Sequence, residues 1–174
     1  MTGEQVRVLV VDDEETVRDL LQRVMKEAGY DVVTAANGQE ALDKVSQLNA
    51  GVVLLDIIMQ GMSGMEVLQQ ITTNWPETCG VMISAVADTQ NAVDAMKLGA
   101  YDYIIKPFDL DEVVRKVQEA IEKRKLQLRR RHFFVDLQQS VTEQSERRQE
   151  QFNELVRNLA REHKMIYEFA MKQP

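Results

Sequence analysis

The chain has 174 residues, 44% of them hydrophobic, and a formal net charge of −7. That is room for one ordinary domain and an extension, with no apolar run long enough to span a membrane and no secretory leader at its acidic start. Charge divides the chain: residues 1–121 hold 9 Lys+Arg against 20 Asp+Glu, and residues 122–174 hold 12 against 8, which speaks against nucleic-acid binding by the acidic part.

Val6–Val11 (VRVLVV) is a β-branched run of strand length. From Val17 onward Leu20, Leu21, Val24, Met25 and Ala28 recur at helical spacing, and Gly29 supplies the stop. Asp31–Ala36 (DVVTAA) predicts a second strand, after which Asn37 and Glu40 have capping-box spacing for a helix to about Leu48. Gly51–Asp56 (GVVLLD) is a third strand, apolar on both faces, and Ser63 with Glu66 repeats the capping signal for a third helix. Cys79, the lone cysteine, reads as a half-buried strand-end residue, and a single thiol suits a reducing cytoplasm. Val81–Ala85 (VMISA) predicts the fourth strand, Asp88–Leu98 a fourth helix ending at Gly99, and Tyr101–Ile105 a fifth strand. Asp109 with Glu112 caps a fifth helix.

Five strands alternating with five helices, the strands apolar throughout, predict an α/β fold: a parallel sheet with helices on both faces. Ligand sites in such sheets lie beyond the carboxyl ends of the strands. At those ends stand Asp12 and Asp13, Asp56, Ser84 and Lys106, the last followed by Pro107. Three converging carboxylates repel one another without a cation, and hard oxygen ligands suit Mg²⁺. A lysine and a hydroxyl supply the charge and hydrogen bond that phosphoryl oxygens need, and an aspartate beside Mg²⁺ is a competent nucleophile towards phosphorus. Gly61 and Gly64 read as loop-geometry residues tolerant of positive φ, and Met59, Met62 and Met65 as gap-fillers. His132 and His163 have no ligand-spaced partners.

With VLVVDDEE (Val8–Glu15), LLDIIMQGMSGMEVL (Leu54–Leu68), ISA (Ile83–Ala85) and DYIIKPF (Asp102–Phe108) in this order, the sequence resembles the receiver domain of bacterial two-component response regulators over about 120 residues. The resemblance implies a flavodoxin-like five-stranded fold at residues 1–124. It also implies a signalling role, with no enzymatic activity beyond the domain's own aspartyl phosphorylation and dephosphorylation. Asp56 is then the phosphoacceptor, fed by a sensor histidine kinase. Asp13, Asp56 and the backbone carbonyl of Ile58 are direct Mg²⁺ ligands, and Asp12 acts through a metal-bound water. Ser84 and Lys106 hold phosphoryl oxygens, and Ser84 with Tyr103 switches the face formed by the fourth helix, fifth strand and fifth helix. The chain departs from the family at Gln60, where proline is usual, which loosens the loop. Ile58 and Val86 are apolar at positions from which a polar side chain would orient water.

From Asp109 no glycine or proline occurs until Pro174, so a helix of roughly 90 Å is allowed at about 1.5 Å per residue. Val113, Val114, Val117, Ala120 and Ile121 form its sheet-packing face. Phe134, Leu137 and Val141, then Phe152, Leu155, Leu159, Ile166 and Phe169, follow at 3–4 spacing. Between them Thr142–Gln151 has no apolar residue, which predicts two short coiled-coil segments around a weak, hinge-prone stretch at residues 125–174. The stripe predicts a homodimer, parallel as coiled coils often are, and a modest one because Asn158 and Glu162 interrupt the seam. The basic cluster from Lys123 to Arg131 reads as a solvated helix face rather than a nucleic-acid contact. The linker-like composition of residues 119–139 leaves open a second reading: the regulatory fragment of a larger regulator with an enzymatic output domain, such as a cyclic-dinucleotide phosphodiesterase. No internal repeat of 20–50 residues is evident.

Overall fold

The structure, a computed structural model, describes residues 6–85 and 89–170, with side chains to Lys164. Two compact units divide between Leu128 and Arg129. In the first, strands β1 (Arg7–Val11), β2 (Asp31–Ala35), β3 (Val52–Asp56), β4 (Cys79–Ser84) and β5 (Asp102–Ile105) alternate with helices α1 (Glu15–Glu27), α2 (Gly38–Leu48), α3 (Gly64–Asn74), α4 (Thr89–Lys97) and the beginning of α5 (Leu110–Ala170), the rest of which forms the second. All strand pairs are parallel, in the order β2-β1-β3-β4-β5.

The alternation of side chains along each strand builds two cores. Leu9, Val11, Val53, Leu55 and Met82 pack with Leu42, Val67, Ile71 and Ala95 of α2, α3 and α4. On the other face Val8, Val10, Val52, Leu54 and Val81 pack with Leu21, Met25, Val113, Val117 and Ile121 of α1 and α5. β3 is buried at every position because both of its faces are covered. Met59, Met62 and Met65 pack against the first core as half-buried fillers.

The capping signals resolve in three ways. Ser63 and Glu66 form the reciprocal box expected of their spacing. The Asn37 side chain accepts from the Glu40 N–H at 2.9 Å, whereas the Glu40 carboxylate reaches one residue further back, to the N–H of Ala36 at 2.8 Å. Asp109 accepts from the N–H of Asp111 at 2.8 Å, two residues along, without the reciprocal Glu112 contact the spacing suggests. Gly29 and Gly99 end their helices at φ +89° and +96°, as αL caps do. Of the expected Asp88–Leu98 helix, Thr89–Lys97 is helical, and Asp88 lies outside the described residues.

In the second unit α5 runs without a break through the polar stretch 142–151, where a hinge was expected. Long polar side chains are strong helix formers. Here they also bond along the helix, Gln139 to Glu143 and Gln149 to Asn153. No helix among the described residues is long and apolar enough to cross a membrane.

Candidate functional site

The strand order places β1 between β2 and β3, so the chain reverses its direction of winding at the carboxyl ends of β1 and β3. This switch point leaves a crevice. Asp12 and Asp13 follow β1 and Asp56 closes β3. One carboxylate oxygen from each lies within 4.8 Å of the others.

Each group is fixed differently. Asp12 is buried; its Oδ1 accepts from the Glu14 N–H at 2.9 Å, just ahead of α1, and its backbone carbonyl accepts from Arg18 at 2.7 Å. Asp13 is exposed, and its Oδ2 accepts from the backbone N–H of Gln60 at 3.1 Å. A proline at position 60 has no such donor. The Gln60 departure therefore ties the loop after β3 to the acid pair, rather than only loosening it. Asp56 is 6% exposed, with a long contact of 3.4 Å from the Ile58 N–H to Oδ1.

Lys106, at the end of β5, is the cation of the cluster. Its Nζ donates to Asp12 Oδ2 at 2.9 Å and to Asp56 Oδ2 at 3.2 Å. The β4–β5 pairing brings it across the sheet edge, with its N–H bonded to the Ser84 carbonyl at 2.7 Å. Burial pulls the Lys106 ammonium towards neutrality, but the Asp12 hydrogen bond and the Asp56 charge outweigh it and raise its pKa. Burial raises the Asp56 pKa; the Lys106 charge offsets this only in part, and the neighbouring Asp12 charge adds to the rise. One ammonium among three carboxylates leaves two negative charges. The oxygen spread is close to the width of a six-coordinate Mg²⁺ shell, about 4 Å across. In charge, donor type and spacing the residues fit a small divalent cation.

Ser84 is fully buried at the end of β4, across the sheet from Asp56 through the Asp56–Ile83 pairing. Tyr103, paired with Met82, is half-buried against the core shared with α4. Ile58 is 56% exposed at the rim. Val86 lies outside the described residues.

Gly64 was missed as a site-positioning residue. Its φ is not positive; among the described glycines of this loop only Gly61 has φ +80°. A Cβ on Gly64 would instead stand 2.0 Å from the backbone oxygen of Asp56, and the Gly64 N–H bonds the Ile57 carbonyl at 2.9 Å. Helix α3 thus begins in contact with the end of β3. A single sequence signals only that a glycine is present, not what approaches it.

The family pattern of the response regulator receiver domain matches residues 8–118. The chain belongs to that family. Among its relatives, the regulatory protein AtoC of Escherichia coli K12 is 37% identical over 134 residues, 77% of this chain but 29% of AtoC. A putative NtrX-like response regulator of Rickettsia bellii is 36% identical over 143 residues, 81% of this chain and 29% of the relative. The crystal structure of the receiver domain of NtrX from Brucella abortus superposes with a TM-score of 0.64 at 37% identity, covering 66% of this chain and 98% of that one. The chain spans under a third of the length of the curated relatives it matches. A receiver serves phosphorylation-dependent two-component signalling, in which receivers take phosphoryl groups from histidine kinases and bind Mg²⁺ at an acidic pocket. Its relatives are regulators rather than metabolic enzymes.

Proposed function

We propose that Asp56 is the phosphoacceptor of this receiver, working with Mg²⁺ bound by the acid cluster. The observation that carries this reading is the convergence of Asp12, Asp13 and Asp56 with one lysine shared between two of them. Asp13, Asp56 and the Ile58 backbone carbonyl would hold the metal, with Asp12 acting through a bound water. When bound, the ion shields the negative charge of an approaching phosphoryl group.

The residues of the chain do the rest. An Asp56 carboxylate oxygen attacks phosphorus as the donor's P–N bond breaks, and the bonding pair leaves with the imidazole of the partner kinase. Lys106, already 3.2 Å from Asp56, is placed to follow the charge onto the phosphoryl oxygens. The Ser84 hydroxyl, at the neighbouring strand end, donates to another oxygen. Ser84 and Tyr103 then transmit the change to the α4-β5-α5 face. Ile58, apolar and exposed at the rim, provides no group to orient a hydrolytic water, so the phosphorylated form is long-lived for a receiver.

Incubation with a small phosphodonor and Mg²⁺, followed by intact mass, tests the assignment. One added phosphoryl group on the wild type and none on Asp56→Asn is expected. Equal labelling of the variant overturns the acceptor. A polar residue in place of Ile58 is expected to shorten the lifetime of the phosphorylated form, and an unchanged decay refutes the argument from side-chain polarity.

A second reading, in which this segment regulates an output domain on a longer chain, is favoured by the greater length of the matched relatives. The reading frame beyond Pro174 decides it.

A further inference from the structure

The second unit carries a short repeat. Residues 129–141 (RRRHFFVDLQQSV) and 147–159 (RRQEQFNELVRNL) share the pattern Arg-Arg-x3-Phe-x-acid-Leu-x3-aliphatic, offset by 18 residues. Eighteen residues are about five turns of an α-helix, or ~27 Å. Because α5 is continuous between them, both copies stand on one face. The polar stretch therefore does not divide the stripe into two. Val141 and Phe152, 11 residues apart, are close to three turns apart and remain in line.

This face is uncovered. Phe134, Val141, Phe152 and Leu159 are 56–62% exposed, and Leu137 and Leu155 about half. Solvent does not stabilise such a stripe, and a partner helix does. The charged members of the seam indicate which partner. Arg130 and Arg148 lie on the stripe's centre line, one turn before each phenylalanine, and Glu162 lies on the same face after Leu159. A parallel copy in register would set each of these charges against its own like.

An antiparallel copy does the reverse. With the two-fold axis near Glu146, Arg130 faces the partner's Glu162 and Arg148 faces the partner's Gln144. Between these polar layers Phe134 meets Leu159, Leu137 meets Leu155 and Val141 meets Phe152. Both seam arginines gain an acceptor and the six seam apolar side chains an apolar neighbour, and each pair occurs twice, as an isologous interface requires. Residues 130–162 form a strip of about 50 Å by 10 Å, so two copies cover about 1,000 Å², near the lower limit for specific association.

We infer that residues 130–162 pair with the same segment of a second copy as an antiparallel two-stranded coiled coil. Glu162, which interrupts a parallel seam, becomes the partner of Arg130. The inference does not depend on the phosphoacceptor assignment.

Cysteine cross-linking of the full chain tests both pairing and direction. Leu137→Cys and Leu155→Cys are both at exposed positions, and the native Cys79 is buried; the wild type under the same oxidant is the control. Antiparallel pairing predicts about tenfold more disulfide-linked dimer when the two variants are mixed than from either alone, because only then do two thiols come within bonding distance. Strong cross-linking of each variant alone shows parallel pairing and overturns the direction. Sedimentation of the untreated wild type as a monomer at high micromolar concentration overturns the pairing itself. Glu162→Arg is expected to raise the dissociation constant and Arg130→Glu added to it to restore the dimer; failure of that restoration also counts against the antiparallel register.

Discussion

Helix α5 has two fates within one run of regular hydrogen bonding. In the first unit Val113, Val117, Ala120 and Ile121 are at most 4% exposed, packed beneath the sheet. In the second unit Phe134, Leu137, Val141 and Phe152 recur at the same spacing and are about half or more exposed. Periodicity therefore identifies a face that seeks burial but not where the burial comes from. The first half of the helix finds its cover within the chain, and the second half has none among the described residues.

An acidic substitution made in each half of α5 separates the two. Val117→Asp places an unpaired carboxylate in a fully buried site, a change that costs several kcal/mol, and is expected to remove the cooperative melting of the first unit. Leu155→Asp puts the same carboxylate on the exposed stripe. It is expected to leave that melting unchanged while weakening, in sedimentation, the self-association inferred for residues 130–162. If both variants melt alike, the two halves of α5 are not energetically distinct.

Gly64→Ala probes the packing of α3 against the Asp56 backbone. The new methyl group meets a backbone oxygen, not a yielding side chain, so a loss of about 2 kcal/mol in denaturant unfolding is expected, with slower labelling at Asp56. A neutral result would mean that the start of α3 shifts freely relative to β3.

The smallest expected effect belongs to Glu40. Its pKa is held below the usual carboxylate value first by the Ala36 N–H and then by the hydrogen bond from Lys44. A depressed folded pKa means that the ionised form stabilises the fold above the unfolded pKa, and that this contribution disappears as pH falls through the folded value. Glu40→Gln is thus expected to lower stability by about 0.5–1 kcal/mol at neutral pH and by less in strong acid. Equal losses at both pH values would assign the effect to packing rather than charge.

Much of the first unit was legible in the sequence. The strands β1, β3 and β4 are apolar at nearly every position, and only a sheet covered on both faces accommodates that. Asp12, Asp13, Asp56, Ser84 and Lys106 stand at or just past strand ends, the edge where parallel sheets gather ligands. Relations between segments distant in the chain were not legible. The Gln60 N–H bonds Asp13 across 47 positions, and the same residue appeared from the sequence only as a missing proline. Gly64 carried a turn signal in the sequence, but its need arises from the Asp56 carbonyl beside it.

Local sterics and the period of hydrophobic burial are enough to set the alternation of elements, the acid and lysine positions at the strand ends, and the unbroken helical propensity of residues 109–173. That one lysine bridges Asp12 and Asp56, and that burial still raises the Asp56 pKa, depends on contacts between distant segments. Only the tertiary structure decides which part of α5 is covered and which is not. Electrostatic balance and burial depend on distances between groups far apart along the chain, and the period of a local pattern carries no such distances.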